Sequence, residues 1–451
     1  MPPGASPSRR NLAKPPAFGI TPRVATSDAF GVSIFTLAAS GGFLLLALNA
    51  GRKRRLLDDT PVSKALGVFV GEVEVEGLCV RQDPYTSYLA ERPCVLYSWS
   101  ICEHWRRAHE ETYTDDKGNT RTRTVIVHGS DVIASGGRQA GFYLQDETGF
   151  VWVEPAGADL ETVTMFSEDA DEGDALYYGK GPSEAVDGST GQRTFSESGL
   201  PIGTKLFIRG RASERPDIVA AQIKREDKAD MFIITPRGEK AVSDGKATAY
   251  VLWNIIGALC AGAFASTLFA SHAVSPGPGP MSVGVLLYLV ALSFGWVWMV
   301  FNSLVGVRNR VQLAQSLIDV QLKRRADLIP RLVNCLAGYR AHEASVLAMV
   351  ARLRAEAASS GVSAVSPSLI AIQEQYPDLK AMDSFNSLSS HLIETEQRIA
   401  LARNYYNDSV TFYNTRLERV PDAYVARIVS MQPAELFKAE GFERVAVGVK
   451  F

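Results

Sequence analysis

Three stretches of this 451-residue chain are free of charge and long enough to cross the hydrocarbon core of a bilayer: Phe30–Ala50, Ala247–Ala270 and Ser282–Val307. A spanning helix takes about 20 apolar residues at about 1.5 Å of rise each. Within lipid every backbone N–H and C=O has to be satisfied inside the segment, which a lone stretch achieves only as a helix. The sequence therefore predicts three transmembrane helices, over 30–50, 247–270 and 282–305.

The first run competes with a cleaved signal peptide. Its leading region would be long, and Leu48 stands where a cleavage site takes a small residue, so an anchor is the better reading. Residues 1–29, rich in Pro, Ser, Ala and Arg, read as a disordered tail. The second and third runs are joined by SHAVSPGPGPM (271–281), too short for a domain, and form a helical hairpin. Lys and Arg counts orient them. Five fall in the 20 residues after the first run against three in the 20 before it, and four in the 20 before the second; the linker has none and Gly306–Arg325 has five. The tail and the hairpin tip are expected outside. The two large segments, 51–246 and 306–451, are expected on the cytoplasmic side of a multi-pass membrane protein.

Net charge is −2, so no global basic surface points to nucleic acid. Five cysteines, odd in number and without a CxxC pair, give neither a disulfide framework nor a closed zinc site, and suit a reducing compartment.

Segment 51–246 has β character. Val68–Glu76 alternates apolar and charged residues with period two, as a half-buried strand does. Cys94–Trp105, the DDKGN turn and RTRTVIVH make a long hairpin, and FYLQDETGFVWVEP a second one around Thr148–Gly149. TKLFIRGRA, PDIVAAQIK and MFIIT bring the expectation to about eight strands, with Glu168–Gly191, acidic and rich in Gly and Ser, as a flexible loop. The strings DPYTSYLAERPCVLYSW, FYLQDETGFVWVEPAGA and GTKLFIRGRA resemble the GIDE-type domain over roughly 62–236. That domain lies beside the membrane in certain membrane-bound ubiquitin ligases and their bacterial relatives. Those ligases add a RING, whose tightly spaced Cys/His zinc ligands this sequence lacks, so ligase activity is not implied.

Segment 306–451 is helical. Leu304, Val307, Val311, Ala314, Ile318 and Leu322 fall on one helix face. Asp327 with Pro330 in its first turn predicts a break or kink near Arg325. A helix continues over Leu328–Ala358, and a short one over Ser368–Tyr376 follows the GVSAVSP loop. A long helix from about Leu379 carries Leu392, Ile399, Ala402, Tyr406, Val410, Tyr413 and Leu417 in coiled-coil-like heptad steps. An antiparallel bundle of three or four helices accommodates this pattern. QLKRRADLIPRLV, YPDLKAMDSF, ETEQRIALARNYYNDSVTFYNTRLERVP and PAELFKAE, in that order, resemble the LemA family over roughly 301–451. That family includes a protein of magnetosome membranes implicated in shaping them.

Candidate sites are few. Cys102 and His104 share a strand face but His109 has the opposite parity, so a mixed surface and core pair is favoured over metal. His342–Glu343 and His391-x-x-Glu394 lack the Glu-x-x-His order of dinuclear bundle sites. Cys94 reads as core rather than as a nucleophile. No phosphate-binding glycine loop or nucleophile elbow is present, so no catalytic residue, cofactor or metal is assigned and a non-enzyme is favoured. Lys323, Arg324, Arg325 and Asp327 form either an internal network, with the arginines on Glu394 or Glu396, or a docking surface. Lys323 lies roughly 24 Å beyond the apolar run, too far for headgroups to attract it. Arg403, Tyr405, Tyr406, Asn407, Tyr413, Asn414 and Arg416 are read as a buried polar–aromatic network that fixes helix register, against a ligand site. Arg52, Lys53, Arg54 and Arg55 form the headgroup-contacting cluster, for which a topological signal suffices.

The sequence thus predicts three transmembrane helices, a mostly-β domain and a LemA-type helical bundle. The expected function is a homo-oligomeric scaffold in contact with membrane lipids and an unidentified protein partner. The alternative is a GIDE-type adaptor or enzyme that recognises a protein or lipid client through the β domain.

Overall fold

The computed structural model describes residues 26–114, 120–215, 221–226, 231–271, 278–339 and 383–437. In chain order the elements begin with helix α1 (Thr26–Asp58) and strands β1 (Val62–Ser63), β2 (Gly71–Val80), β3 (Tyr85–Thr86), β4 (Pro93–Thr114) and β5 (Thr120–Gln139). Next come β6 (Phe142–Gln145), β7 (Phe150–Val153), β8 (Asp159–Leu160), β9 (Val163–Asp171), the short helix α2 (Ala175–Gly179) and β10 (Ser189–Pro201). Strands β11 (Lys205–Glu214), β12 (Ala221–Lys224) and β13 (Ile233–Thr235) complete the β segment. Helices α3 (Glu239–Ser271), α4 (Pro278–Tyr339), α5 (Asp383–Glu418) and α6 (Asp422–Ile428) follow. The chain divides into two units, Met1–Asn49 with Ala249–Trp296, and Ala50–Thr248 with Val297–Phe451.

In the first unit small residues let the helices approach closely. A Cβ on Gly284 would lie 2.2 Å from the Ala261 carbonyl oxygen, and one on Gly257 would enter the Tyr288 ring. Ser33 donates to Thr267 and Ser40 to the Gly257 carbonyl, while Phe43 stacks on Trp253. Helices α1, α3 and α4 are each long and apolar enough to cross a membrane, over Gly31–Asp58, Glu239–Phe269 and Pro278–Leu332.

In the second unit, β2, β6, β7, β12 and β11 pair in sequence and β11 returns to β2, closing a five-stranded barrel. Inward residues Val73, Val75, Phe142, Leu144, Val151, Val153, Leu206, Ile208 and Ile223 fill it. The second sheet places β4 between β10 and the pair β3 and β5, with β9 beyond β10. Its own core is Leu89, Ile101, Ala170, Tyr177 and Phe195.

Both predicted hairpins form, β4–β5 and β6–β7; the DDKGN turn itself lies outside the described residues. Two expectations for this segment fail. Thirteen strands are described rather than about eight, and Glu168–Gly191 is not a loop: it contains the last four residues of β9, α2 and the start of β10. Arg193 organises it, donating from the interior to the carbonyls of Tyr177, Pro182 and Glu184. The acidic composition misleads because Glu168 and Asp169 project outward from an edge strand.

Among the helices, Leu304, Val307, Val311, Ala314 and Ile318 are buried as predicted and Leu322 is half-buried, and Val307 and Val311 pack on Val410 and Tyr413. Of the break or kink expected near Arg325, the break does not occur. Helix α4 runs through Pro330 to Tyr339, and Asp327 is an exposed interior residue rather than a cap. Ile329 and Leu332 keep the apolar face buried on either side, which offsets the roughly 3 kcal/mol an interior proline costs. The expectations for 340–382, including the Ser368–Tyr376 helix, and for the tail before Thr26 lie outside the described residues.

Candidate functional site

Three arginines and two aspartates from four parts of the second unit meet in its interior. Asp59 directly follows α1. Its Oδ1 accepts from Arg416 Nε at 2.6 Å and its Oδ2 from Ser303 Oγ at 2.7 Å, while its carbonyl accepts from Arg310 Nη1 at 2.6 Å. Asp422, in the first turn of α6, accepts from Arg55 Nη1 and Nη2 at 2.8 and 3.0 Å, a bidentate pair, and from Arg416 Nη1 at 3.1 Å. Arg416 therefore bridges the two carboxylates. Both aspartates are buried, and buried carboxylates persist only when paired and hydrogen-bonded. The hub ties the end of α1 to α4, α5 and α6.

The same end of α1 is held by the β domain. Arg209, buried beside Glu74 and bonded to it, donates to the Leu56 carbonyl at 2.9 Å and to Thr60 Oγ1 at 3.1 Å. A guanidinium at a helix C-terminus meets exposed carbonyls and the negative end of the dipole. Burial pushes the Glu74 carboxyl up to about 8, against the opposing pull of Arg209. Leu57 packs with Phe207 of β11, Ile233 of β13 and Met231 just before β13. On the other side, Asp146 accepts from Thr148, Gly149 and the Ala65 amide, and holds the 3-10 turn Ala65–Gly67. Gly67 lies against Leu401 of α5, and Gly71, at φ +137°, against Leu313 of α4.

The polar and aromatic residues of α5 have a partner that the sequence does not signal, the segment 431–437 that ends in PAELF. Tyr413 donates to the Gln432 carbonyl at 3.0 Å and Tyr406 to that of Glu435 at 2.9 Å. The Asn414 side chain meets Ala434 as a second peptide would, donating to its carbonyl and accepting from its N–H. Asn407 accepts from Phe437 N, and Arg403 lies 4.5 Å over the Phe437 ring. The heptad steps 406–413 and 407–414 thus set the pitch of an extended strap running antiparallel to the helix. Tyr405 is not part of it.

The remaining candidates separate. Arg325 approaches Glu396 at 3.7 Å, both buried, while Glu394 pairs with Arg398 one turn away. Burial raises the Glu396 carboxyl, with Arg325 and Arg403 opposing. Lys323 is exposed and Arg324 half-buried. The basic cluster also divides. Arg54 pairs with Asp58 and Arg55 goes to Asp422, so the side chain of Arg55 is committed inside the protein rather than to headgroups. Arg52 is exposed and Lys53 half-buried.

In the β domain, Glu197 accepts the amides of Tyr88, Leu89 and Ala90, fixing the SYLAERP turn. Glu103 and Arg193 form a wholly buried pair, with Tyr177 and Ser189 also donating to Glu103. Cys94 is buried, and its thiol is pushed up to about 11, first by burial and then by Glu197; at neutral pH it is not a thiolate nucleophile. His104 Nε2 hydrogen-bonds Thr194 at 2.8 Å, and among the described residues no three metal-ligating side chains converge. His342–Glu343 lies outside them. Beyond Trp105 the β4–β5 hairpin leaves the sheet as a two-stranded ribbon, exposed on both faces. Along β4 an Arg107 guanidinium lies over Trp105, and across the strands an Arg123 guanidinium lies over Tyr113 and pairs with Glu111.

The LemA family model matches residues 314–451, and a model described as E3 ubiquitin ligase, GIDE, matches residues 110–266. Protein LemA of Metamycoplasma hominis is 28% identical over 158 residues, 32% of this chain and 72% of that protein. Magnetosome protein MamQ 2 of Paramagnetospirillum magneticum is 24% identical over 201 residues, and magnetosome protein MamQ of Magnetospirillum gryphiswaldense 23% over 200. Each of these two alignments covers 36% of this chain and 74% of the relative. The chain therefore joins a GIDE-type segment to a LemA-family segment.

Proposed function

We propose that this protein, a GIDE-type segment followed by a LemA-family one, is a non-catalytic scaffold of the bacterial inner membrane. It self-assembles and presents both segments to the cytoplasm. The observation that carries the reading is the Arg416 bridge between Asp59 and Asp422. It fastens the chain leaving the first apolar helix to the LemA-type helices, and Arg209 of β11 holds the same end of α1 to the β strands, so the two segments are presented as one body rather than as tethered domains. The likeness to magnetosome proteins supports a role at a membrane. The test is the mass and shape of the detergent-purified full chain by light scattering and negative-stain imaging. A large, closed, symmetric particle is expected; a clean monomer removes self-assembly as the activity.

The exposed β4–β5 ribbon favours a second reading, an adaptor that holds a protein client. Two-stranded ribbons are marginal in water, and this one exposes Tyr113, Ile126 and Val127 with its strand edges open. Replacing 107–127 by a two-residue turn, which keeps the Arg106 and His128 pair, should leave the particle intact and abolish client capture if that reading holds.

A further inference from the structure

The short helix α6 exposes its apolar side chains in a place the scaffold reading does not explain. Val420 is 65% exposed, Tyr424 60% and Ile428 80%, with Val429 beside them, whereas Ala423, Val425 and Ala426 face inward. Residues 424 and 428 are one helical turn apart and share a face. Exposed apolar side chains grouped this way mark an interaction surface rather than ordinary scatter.

Two separate contacts fix the depth of α6 along the neighbouring helices. Asp422, at its start, is held by Arg55 of α1, five residues beyond the end of that helix's uncharged run at Ala50, or about 7.5 Å. At its other end, Val429–Gln432 line a cleft of about 370 Å³ with Phe301, Val305 and Arg308 of α4. Phe301 and Val305 belong to the last turns of the uncharged run, and Arg308 is the first charge after it. Both helices thus put α6 where apolar sequence gives way to charge. A headgroup layer is about 5–7 Å deep on each side of a bilayer, and interfacial helices sink their apolar face about 5–10 Å into it. Arg308, Arg419 and Arg427 are exposed here, with Glu418, Glu435 and the buried, paired Asp422 the nearby acids in the sequence.

We propose that α6 with Val420 and Val429 is an interfacial membrane contact, its apolar face docked into the headgroup region of an anionic leaflet and its arginines on the phosphates. This rests on the membrane reading above and adds a fourth, non-spanning contact. Tyr suits the role, with an apolar ring and a polar tip. The contact brings the LemA-type end of the chain onto the leaflet surface, where shape and lipid composition are felt.

The test uses the full chain in nanodiscs of phosphatidylcholine and phosphatidylglycerol, with a photo-crosslinking phenylalanine in place of Tyr424, Ile428, Val132 or Leu286, one at a time. Val132, on β5, and Leu286, in the third apolar run, are each 62% exposed and serve as controls. Lipid adducts at 424 and 428, at least about tenfold above those at 132 and comparable with those at 286, are expected. Adducts at 286 but not at 424 or 428 would overturn the interfacial contact and leave the membrane reading standing. No adducts at 286 would overturn both. Crosslinks from 424 or 428 to a second copy of the chain, or to another protein, would also overturn it by assigning the surface to a different occupant.

Discussion

Arg416 and Asp59 are 357 residues apart in sequence and hydrogen-bonded at 2.6 Å, Nε to Oδ1. The same guanidinium holds Asp422. Arg416→Ala would leave two carboxylates buried with part of their pairing gone. Breaking a buried pair by removing one partner costs roughly 3–5 kcal/mol. The variant should lower the thermal midpoint of the detergent-purified protein and admit protease near residues 419–430. Arg123→Ala, which removes an exposed pair with Glu111, should cost no more than about 1 kcal/mol. Equal effects would show that the hub contributes no more than surface charge.

Arg325 and Glu396 offer a different comparison, because their 3.7 Å approach between buried groups is an ion pair of modest geometry. Arg325→Met alone should destabilise by a few kcal/mol through the orphaned carboxylate, whereas Arg325→Met with Glu396→Leu should return close to the parent, since hydrophobic replacement of a buried pair is near neutral. Denaturant midpoints of the two variants decide it. If the double variant stays unstable, the pair does more than fill its site. If both variants are stable yet fail to assemble, the cluster is a docking surface.

Asn414 matches both backbone groups of Ala434, so Asn414→Ala removes two hydrogen bonds at about 1 kcal/mol each. Hydrogen exchange should speed up in 431–437 and stay unchanged in the barrel strands. Asn414→Asp keeps the acceptor and loses the donor, and should fall between. Uniform exchange across all three proteins would mean that the strap is not held by this helix.

The apolar helices and their inner face were legible because burial imposes a 3.6-residue period that a sequence displays directly: Leu304, Val307, Val311, Ala314 and Ile318 are all inside. The hairpins were legible through their turns. The hub was not, since nothing in RKRRLLDD tells which aspartate will meet Arg416. Arg55 could be read only as one charge among four. Of the polar residues of α5, Arg403, Tyr406, Asn407, Tyr413 and Asn414 meet an extended strap with no periodicity of its own, while Arg416 goes to the hub. Ordered structure within 168–191 was hidden for a related reason. It depends on Arg193, a residue whose type usually signals surface and which here is wholly buried.

The stability of the β domain should fall at both ends of the pH scale, for opposite reasons. Burial alone would raise the Glu103 carboxyl, but the bonds from Ser189 and Arg193, the Arg193 charge and Tyr177 outweigh it and hold it below its ordinary value. Asp146 is likewise held down, with burial outweighed by Thr148 and by the amides of Ala65, Thr148 and Gly149. A carboxyl depressed in the folded state contributes stability that is present above its unfolded pKa, near 4, and lost as pH falls through the folded value. Glu74 has the reverse sign. Burial raises it to about 8 in the folded protein, so its contribution is complete below about pH 4.5 and lost as pH rises towards 8. Tryptophan fluorescence melts between pH 3 and 9 should therefore give a dome. Glu103→Gln should flatten only the acid limb and lower the plateau, because Arg193 is left buried without its carboxylate. Glu74→Gln should flatten only the alkaline limb. A variant that moves both limbs together would mean the two pairs are coupled through the barrel rather than titrating independently.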